Sequence, residues 1–342
     1  MFSIRSIIGV LLVTLAWCAP CAAQELKYGA PIPAVHRTLF SKGLDYLEGT
    51  QADNGSWDSN AGITGICVMA LLASGEDPNF GRYSKAVHGG VRAIINQQDA
   101  DTGFIRSGMY EHGFAMLALA DCYGAVDDRL LWKGKKKAGR TIGEALQLAV
   151  RCAVTSQEDN SFKAWRYSPD GTDADTSASG AVFMGLLGAR NAGITVPDSA
   201  IDGVVEYFVS MTLENGMVNY SGMGGLGASV ARSSICALVL SIAKRTDLET
   251  FTAVKGYLED NWDTPSMQWA AYTEYYRSQA LFQVHYKMWQ RWTRENTVRL
   301  AEVQGDDGSI PIQGASHGLT YQTGMALLSA GLNYCLLPIY ER

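Results

Sequence analysis

Two aspartates, Asp173 and Asp175, stand two residues apart immediately before an apolar, helix-like run. Paired carboxylates can raise the pKa of one partner, and a carboxylic acid that stays protonated near neutral pH can donate a proton in catalysis. The same spacing also suits a structural role, in which Asp175 or Thr176 caps the following helix and Ser177 lies in its first turn. Asp175, with Asp173 beside it, is therefore the candidate catalytic acid.

Seven further polar side chains lie near the starts of similar apolar runs, where the free N–H groups of a helix attract anionic groups. Acids and bases among them would suit cleavage of a glycosidic bond. Arg232, together with Arg166 and Tyr167, would hold a uronate through bidentate and stacking contacts. His112 is equally suited to a hydrogen-bonded structural position. We predict a central cavity lined by Glu111, His112, Arg232, Tyr272, Glu274, His317 and Tyr321.

Metal chemistry is not expected from this sequence. The only residues that resemble a zinc ligand set are Asp121, Cys122 and His317. Cys122 lies late in an apolar run rather than at its start. Since a zinc site requires a cluster of ligands with open geometry, we predict no metal and no cofactor.

Aromatic residues are dense between positions 262 and 292. Aromatic faces bind sugars and apolar ligands, but at helical spacing they more often form core. Both interpretations stay open for Trp262, Trp269, Tyr272, Tyr275, Tyr276, Tyr286, Trp289 and Trp292.

The elements that must position these residues are helices. Amphipathic runs, such as Val35 to Leu47 and Thr141 to Val154, alternate with runs that are apolar or small on all sides, such as Ile63 to Ser74 and Ala178 to Ala189. A helix that is apolar all round is buried all round, so the pattern predicts an inner layer inside an outer one. Period-two alternation, which would indicate strands, is missing.

Polar turns separate the two kinds of helix. Most contain Gly and an aromatic or apolar residue, and a degenerate turn lies near Pro265 to Trp269. The number of residues from one such turn to the next suits one helical hairpin plus its connections, so about six hairpins fit the chain. The recognisable turns are Asn54-Gly55-Ser56-Trp57, Thr102-Gly103-Phe104, Asn160-Ser161-Phe162, Asn215-Gly216-Met217 and Asp307-Gly308-Ser309-Ile310.

The first of these turns carries a specific resemblance. Lys42-Gly43, Tyr46-Leu47, Gln51, Gly55 and Trp57 match the QW motif of squalene and oxidosqualene cyclases at every defined position, and Gln304, Gly308 and Ile310 repeat its second half. Gln98 and Gln157 stand in looser copies. The chain therefore resembles the squalene cyclase and protein prenyltransferase superfamily, which implies an all-α, α/α-toroid fold. The motif itself is expected to be structural, with Gln binding carbonyls left free at a helix end.

The resemblance also bears on Asp175. Asp173-Ala174-Asp175-Thr176 is similar to the Asp-x-Asp-Asp motif of class II terpene cyclases, in which the middle aspartate protonates an alkene or epoxide. That role would fall on Asp175. Thr176 replaces the third aspartate of the motif, and the chain has length for one helical ring where bacterial squalene cyclases have two.

The N-terminus has the pattern of a secretory signal. Arg5 precedes an apolar run from Ile7 to Trp17, and Cys21-Ala22-Ala23 supplies small residues before Gln24. We predict a signal peptide over residues 1–23, a single α/α-toroid domain over residues 24–342, and a periplasmic or extracellular protein. No later segment is long and apolar enough to span a bilayer.

The net charge argues against one class of partner, and the cysteine count limits the possible disulfides. The formal net charge of -6 becomes -7 when Arg5 leaves with the signal, and an acidic chain is a poor candidate for binding nucleic acid. The cysteines that remain are odd in number, so at least one is free or pairs between molecules. A disulfide is left open for Cys67, Cys122, Cys152, Cys236 and Cys335.

Four functions fit the sequence. The first is a ring whose cavity binds an extended apolar or glycan ligand, with acid catalysis at Asp175. The others are a non-catalytic protein- or glycan-interaction module, a polysaccharide lyase or hydrolase, and a terpenoid cyclase. The ligand would be a small molecule, an isoprenoid or a glycan, and the oligomeric state is not indicated. An enzyme should place Asp175 in a deep pocket, whereas an interaction module should present a shallow, aromatic-rich surface.

Overall fold

The computed structural model describes residues 32–134, 139–221, 229–266, 268–314 and 317–334. The predicted signal peptide and Cys335 lie outside these ranges. Ala34–Arg342 forms one compact unit. Its helices are α1 (Ala34–Thr50), α2 (Ala61–Leu72), α3 (Ser84–Gln97), α4 (Met109–Cys122), α5 (Asp128–Leu131), α6 (Ile142–Glu158), α7 (Thr176–Asn191), α8 (Asp198–Met211), α9 (Val230–Ile242), α10 (Glu249–Asn261), α11 (Ala270–Val284), α12 (Tyr286–Val303) and α13 (Leu319–Gly331).

The inner layer is a closed ring of α2, α4, α7, α9, α11 and α13, in which each helix packs on the next and α13 packs on α2. Small residues allow the close approach of these helices. A Cβ atom on Gly113 would lie 2.5 Å from the carbonyl carbon of Ala181, and one on Gly65 would lie 2.8 Å from the carbonyl oxygen of Phe114. The chain is therefore an α/α-toroid, as its alternating helix patterns predict.

The outer layer consists of α1, α3, α6, α8, α10 and α12, each followed by a turn and then an inner helix. These helices are amphipathic. In α1, Leu39, Leu44 and Leu47 are buried against the ring, while Arg37 and Lys42 are exposed. This arrangement gives the predicted six hairpins, and α5 is a short addition between the second and third.

Four glutamines join neighbouring hairpins. We expected each to bind carbonyls at the end of its own helix. Instead, the Nε2 of each glutamine donates to a carbonyl of its own turn and to a carbonyl of the next outer helix, and the last glutamine reaches α1 and so closes the ring. The bonds run from Gln51 to Gly55 and Ala86 (both 2.8 Å), from Gln98 to Gly103 (3.0 Å) and Ala145 (2.8 Å), from Gln157 to Lys163 (2.8 Å) and Ala200 (2.9 Å), and from Gln304 to Gly308 (3.1 Å) and Leu39 (3.0 Å).

A buried apolar residue anchors these turns. Trp57 is 1% exposed, and its Nε1 donates to the carbonyl of Leu47 at 2.8 Å. In the third hairpin the expected anchor, Phe162, is 43% exposed, and Trp165 is buried in its place with Nε1 bonded to the carbonyl of Ala153 at 3.0 Å. The third turn is longer than the first, so counting from its polar residues identified the wrong aromatic.

The core cysteines are unpaired in the described part of the chain: Cys67, Cys122, Cys152 and Cys236 are buried and free. Within the same ranges, no helix has the length and apolar character needed to cross a bilayer.

Candidate functional site

The N-terminal ends of the inner helices meet at one end of the ring, which we call the mouth. The backbone N–H of Met109 in α4 donates to the carbonyl of Tyr167, just before α7, at 3.0 Å. The N–H of Thr176 in α7 donates to the carbonyl of Tyr220, just before α9, at 3.0 Å. Residues that precede different inner helices are thus brought together, as the repeat predicts.

Asp175 is the N-cap of α7. Its Oδ1 accepts from the backbone N–H groups of Ser177 (2.9 Å) and Ala178 (2.8 Å), so the capping role weighed from the sequence is present. Its Oδ2 makes no backbone bond and faces the Tyr220 hydroxyl at 3.4 Å and Nε of Arg166 at 3.8 Å. One oxygen of this fully buried carboxyl is therefore structural, and the other belongs to a side-chain cluster.

Arg166 lies between the two aspartates. It forms an ion pair with Asp173 through Nη1, and its guanidinium lies over the rings of Tyr167 (5.1 Å) and Tyr220 (5.7 Å). The two tyrosine hydroxyls are 2.6 Å apart. We call Arg166, Tyr167, Asp173, Asp175 and Tyr220 the Arg166 cluster. Since Arg166 separates the carboxylates, Asp173 and Asp175 do not form the directly paired acids that their spacing suggested.

The pKa of Asp175 is raised, and the cause is burial. Its backbone hydrogen bonds, Arg166 and the Tyr220 hydroxyl all act in the opposite direction and offset part of the rise. Burial penalises the charged form of a carboxyl, so the proton is held more tightly than on an exposed aspartate. Desolvation, rather than a second carboxylate, is what suits this residue to an acid role.

Tyrosines fill the centre of the ring beneath the mouth, where Tyr272 and Tyr276 are buried and Tyr110 is half-buried. The rings of Tyr110 and Tyr272 are 5.8 Å apart, and those of Tyr272 and Tyr276 are 4.8 Å apart. Burial, joined by neighbouring groups that include Asp175, raises the pKa of Tyr272 well above its usual value. Tyr272 thus lies close to Asp175, and the tyrosines form an uncharged, amphipathic floor.

The opposite side of the mouth carries Trp269, His317 and Tyr321. The rings of Trp269 and His317 are 6.0 Å apart, and those of His317 and Tyr321 are 4.7 Å apart. Trp269 is 52% exposed, and Tyr167 across the mouth is 61% exposed. Two exposed aromatic faces flank the floor, which gives the mouth the aromatic-rich character that we expected of an interaction module.

Glu111 lies in the first turn of α4, where α2 approaches closely. A Cβ atom on Gly62 would be 2.7 Å from Cα of Glu111, and one on Gly108 would be 2.6 Å from its Oε2. The charge of Glu111 also acts on Tyr321, whose pKa burial raises first of all. Glu111 is therefore a third carboxylate at the mouth, besides Asp173 and Asp175.

Strained backbone is found at this end of the ring. Positive φ angles occur at Asp58 (52°) and Ser59 (52°) before α2, at Ser107 (116°) before α4 and at Trp269 (57°) before α11. Such conformations cost free energy in residues other than glycine and concentrate at functional sites. Lys163 (53°) before α7 and Lys244 (57°) after α9 also have positive φ angles, so the strain is concentrated at the mouth end of the ring without being confined to it.

His112 lies away from the mouth cluster, inside the second turn. Its Nδ1 accepts from the N–H of Ile105 at 3.1 Å, so Nε2 carries the proton and donates to the carbonyl of Ala149 at 3.1 Å. Burial lowers its pKa to about 4. Hydroxyl groups of Thr64 and Thr323 accept the equivalent bond in the first and last hairpins. His112 thus holds the turn in place.

Glu274 also lies outside the mouth cluster. It sits at the side of α11 that faces α12, within 3.7 Å of Arg277 and 3.9 Å of Arg299. Arg232 adjoins the mouth: its Nε donates to the carbonyl of Val218 at 3.0 Å, and its guanidinium lies 6.0 Å from the ring centre of Tyr220. The structure therefore gathers Asp175, Arg232, Tyr272, Glu111, His317 and Tyr321 at the mouth and places His112 and Glu274 elsewhere.

The described residues contain no group of three or more His, Cys, Asp or Glu side chains that could hold a metal ion. Asp121 and Cys122 end α4, at the far end of that helix from the mouth, whereas His317 precedes α13. These three residues are not brought together.

Tyr220 is the cluster member that our sequence reasoning missed. The repeat register contains the information: Tyr167 stands two residues after the buried Trp165, and Tyr220 stands two residues after the buried Val218. Aligning hairpins on their buried anchors, instead of on their glycines, would have placed both tyrosines at the same position of the mouth.

Comparison with known proteins gives the fold only. No family model matches the chain, and no curated protein matches it. Among solved structures, an inactive variant of an α-1,6-mannanase from Salegentibacter sp., in complex with α-1,6-mannotetrose, is 8% identical, covers 88% of this chain and 99% of its own, and has a TM-score of 0.64. A family 76 glycoside hydrolase (mannosidase) from Bacteroides thetaiotaomicron is 9% identical, with coverages of 87% and 98% and a TM-score of 0.61. A possible GH105 family member from Salmonella enterica is 11% identical, with coverages of 91% and 96% and a TM-score of 0.57.

The mannanase variant was inactivated at two consecutive aspartates. This chain has consecutive aspartates at Asp127-Asp128 and Asp306-Asp307 only. Asp127 caps α5, Asp128 accepts from the N–H of Ile142, and Asp307 accepts from the N–H of Ser309, all outside the mouth. At the mouth of this chain, Asp173 and Asp175 are separated by one residue.

Proposed function

We propose that the mouth binds an extended glycan and that Asp175 is the acid that protonates a glycosidic oxygen. One observation carries the proposal above the others. A fully buried carboxyl with a raised pKa presents one oxygen to the Arg166 cluster, which also includes the exposed ring of Tyr167.

Binding would use the two exposed aromatic faces and the polar groups between them. Tyrosine and tryptophan rings offer sugars an apolar face, while their polar tips remain available for hydrogen bonds. Tyr167 and Trp269 lie on opposite sides of the mouth, so a chain of several sugar units is favoured over a single one. Arg166 and Arg232 add charge-assisted donors for hydroxyl or carboxylate groups.

Cleavage requires a second group besides the acid. In hydrolysis a carboxylate activates water or attacks the sugar directly, and Glu111 is our candidate. If the substrate is a uronate, Arg166 and Arg232 would neutralise its carboxylate and favour elimination. The structural likeness to glycoside hydrolases supports a glycan-active ring, but it does not choose between these reactions. The terpenoid-cyclase interpretation is supported by one observation, the similarity of the sequence around Asp175 to the Asp-x-Asp-Asp motif.

The experiment incubates the purified protein with α-1,6-mannotetraose and, separately, with oligogalacturonides, and analyses the products by mass spectrometry. Hydrolysis adds the mass of water to the products, whereas elimination leaves an unsaturated sugar. We expect Tyr167→Ala to weaken binding about tenfold through loss of a stacking face. Asp170→Asn, an exposed charge change in the same loop, is the matched control and should behave as wild type.

A non-catalytic glycan-binding module is the second candidate. It is favoured by the capping role of Asp175 Oδ1 and by the tyrosines that fill the ring centre. In that case glycans bind, no product forms, and Asp175→Asn binds as tightly as wild type. Retention of an isoprenoid in place of any glycan would contradict both candidates. Export through residues 1–23 stays a prediction, and detection of the mature chain outside the cytoplasm tests it.

A further inference from the structure

A cavity lies at the side of the ring, between α11, α12 and the turn that joins α10 to α11. We call it the fifth junction. Its volume is about 560 Å³, which lies within the range of small-molecule pockets. The residues that matter for the argument are Trp262, Ser266, Glu274, Arg277, Trp292 and Arg299.

This junction departs from the repeat. In four hairpins a glutamine amide fills the contact between a turn and the next outer helix. Gln98 and Gln304 occupy the C-cap positions of α3 and α12, but the C-cap of α10 is Trp262. Arg277 of α11 instead donates to the carbonyl of Thr264 and holds the turn from the inside.

The polar groups in the cavity have unused hydrogen-bonding capacity. Oε1 of Glu274 lies 3.7 Å from Nη1 of Arg277 and 3.9 Å from Nη2 of Arg299, beyond hydrogen-bond distance. Oε2 of Glu274 and Nε of Arg277 are buried and have no hydrogen-bond partner in the described residues. The Arg277 side chain is only 3% exposed. Buried polar atoms are normally bonded, so a missing ligand is a physical reason for these exceptions.

The lining is not selectively cationic. Asp263, Glu274 and Glu295 line the cavity together with Arg277 and Arg299, so a free anion gains no net attraction. A hydroxyl group, in contrast, can donate to Glu274 and accept from Arg277 at once. Trp262 and Trp292 supply apolar walls of the kind that contact the C–H face of a sugar ring.

We propose that the fifth junction binds a neutral sugar residue, with adjacent hydroxyl groups bridging the Glu274 carboxylate and the Arg277 guanidinium. This site is separate from the mouth and stands on its own residues. It would give the ring a second, non-catalytic contact with carbohydrate.

The test is isothermal titration calorimetry with methyl α-mannoside, methyl α-glucoside and N-acetylglucosamine, with sodium acetate as an anionic probe. We expect at least one of the three sugars to bind and acetate not to bind. Glu274→Gln keeps the side-chain shape but removes the carboxylate, and it should weaken sugar binding about tenfold. Arg299→Ala changes a half-exposed side chain, so it tests the site if Glu274→Gln fails to fold.

Arg294→Ala is the matched control, because it removes the same charge from an exposed position of α12 that does not line the cavity. It should bind as wild type. The proposal is overturned if none of the three sugars binds, if acetate binds in their place, or if Glu274→Gln and Arg299→Ala both bind as tightly as wild type. Sugar binding that is lost only in Asp175→Asn would support the mouth and overturn the fifth junction.

Discussion

The third and fifth hairpins use the same position of the repeat in opposite ways. In the third, Gln157 is buried and both donor bonds of its amide are made, so the turn is locked to α8 and the polar groups face the mouth. In the fifth, Trp262 stands where a glutamine is expected, and buried atoms of Glu274 and Arg277 are left unbonded around a cavity. In these two hairpins, the polar residues are structural where the glutamine is kept, and they line a cavity where it is absent.

Gln157→Ala should disrupt the junction between the third turn and α8, and we expect it to have the largest effect on stability. The change removes two hydrogen bonds and leaves carbonyls of Lys163 and Ala200 without their donor, so we expect a loss of about 2–4 kcal/mol in the free energy of unfolding. Urea denaturation measures it. Gln97→Ala, one position before the next locking glutamine and only half-buried, should cost less than about 0.5 kcal/mol. Equal losses would mean that the junction bonds carry no special weight.

His112→Thr tests a second structural hydrogen bond. It replaces the histidine nitrogen that accepts from the N–H of Ile105 with a hydroxyl group, the acceptor used by Thr64 and Thr323 in other hairpins. Burial lowers the folded pKa of His112 to about 4, below the ordinary value of 6.5. As the pH falls below 6.5 the unfolded chain therefore binds a proton that the folded chain refuses, and stability is lost until the pH passes the folded pKa. We therefore expect wild type to lose about 2 kcal/mol more stability than the variant between pH 7 and pH 5.

Urea denaturation at the two pH values measures that difference. His36, whose pKa burial also lowers to about 4, is present in both proteins and cancels. An unchanged pH dependence in His112→Thr would show that the second turn does not rest on a neutral histidine.

Trp262→Gln changes the fifth junction and should have the smallest effect on stability. The side chain is half-buried at the edge of the cavity, so its loss should change the free energy of unfolding by less than about 1 kcal/mol. Denaturation under the conditions used for Gln157→Ala allows direct comparison. A loss of stability as large as that of Gln157→Ala would show that Trp262 stabilises the fifth junction as strongly as Gln157 stabilises the third.

The layers and turns followed from sequence because their causes are local. Helix periodicity separates α1 from α2, and the spacing from Gln51 to Trp57 fixes one turn. Pairing across the ring did not follow. Nothing in the local sequence shows that Arg166 would lie between Asp173 and Asp175, or that Glu274 would face α12, because each depends on how helix rotation and turn length combine.

The proposal for the mouth depends on Asp175 more than on any other residue. Asn is also a good N-cap, so Asp175→Asn should preserve the fold while removing the proton. The most direct test is the pH profile of glycan cleavage by wild type and Asp175→Asn. We expect wild-type cleavage to decline as the pH rises through the raised pKa of Asp175, because the acid form is lost, and the variant to be at least about 100-fold slower at every pH. Cleavage by Asp175→Asn at the wild-type rate, with the same pH profile, would contradict the assignment of Asp175 as the acid.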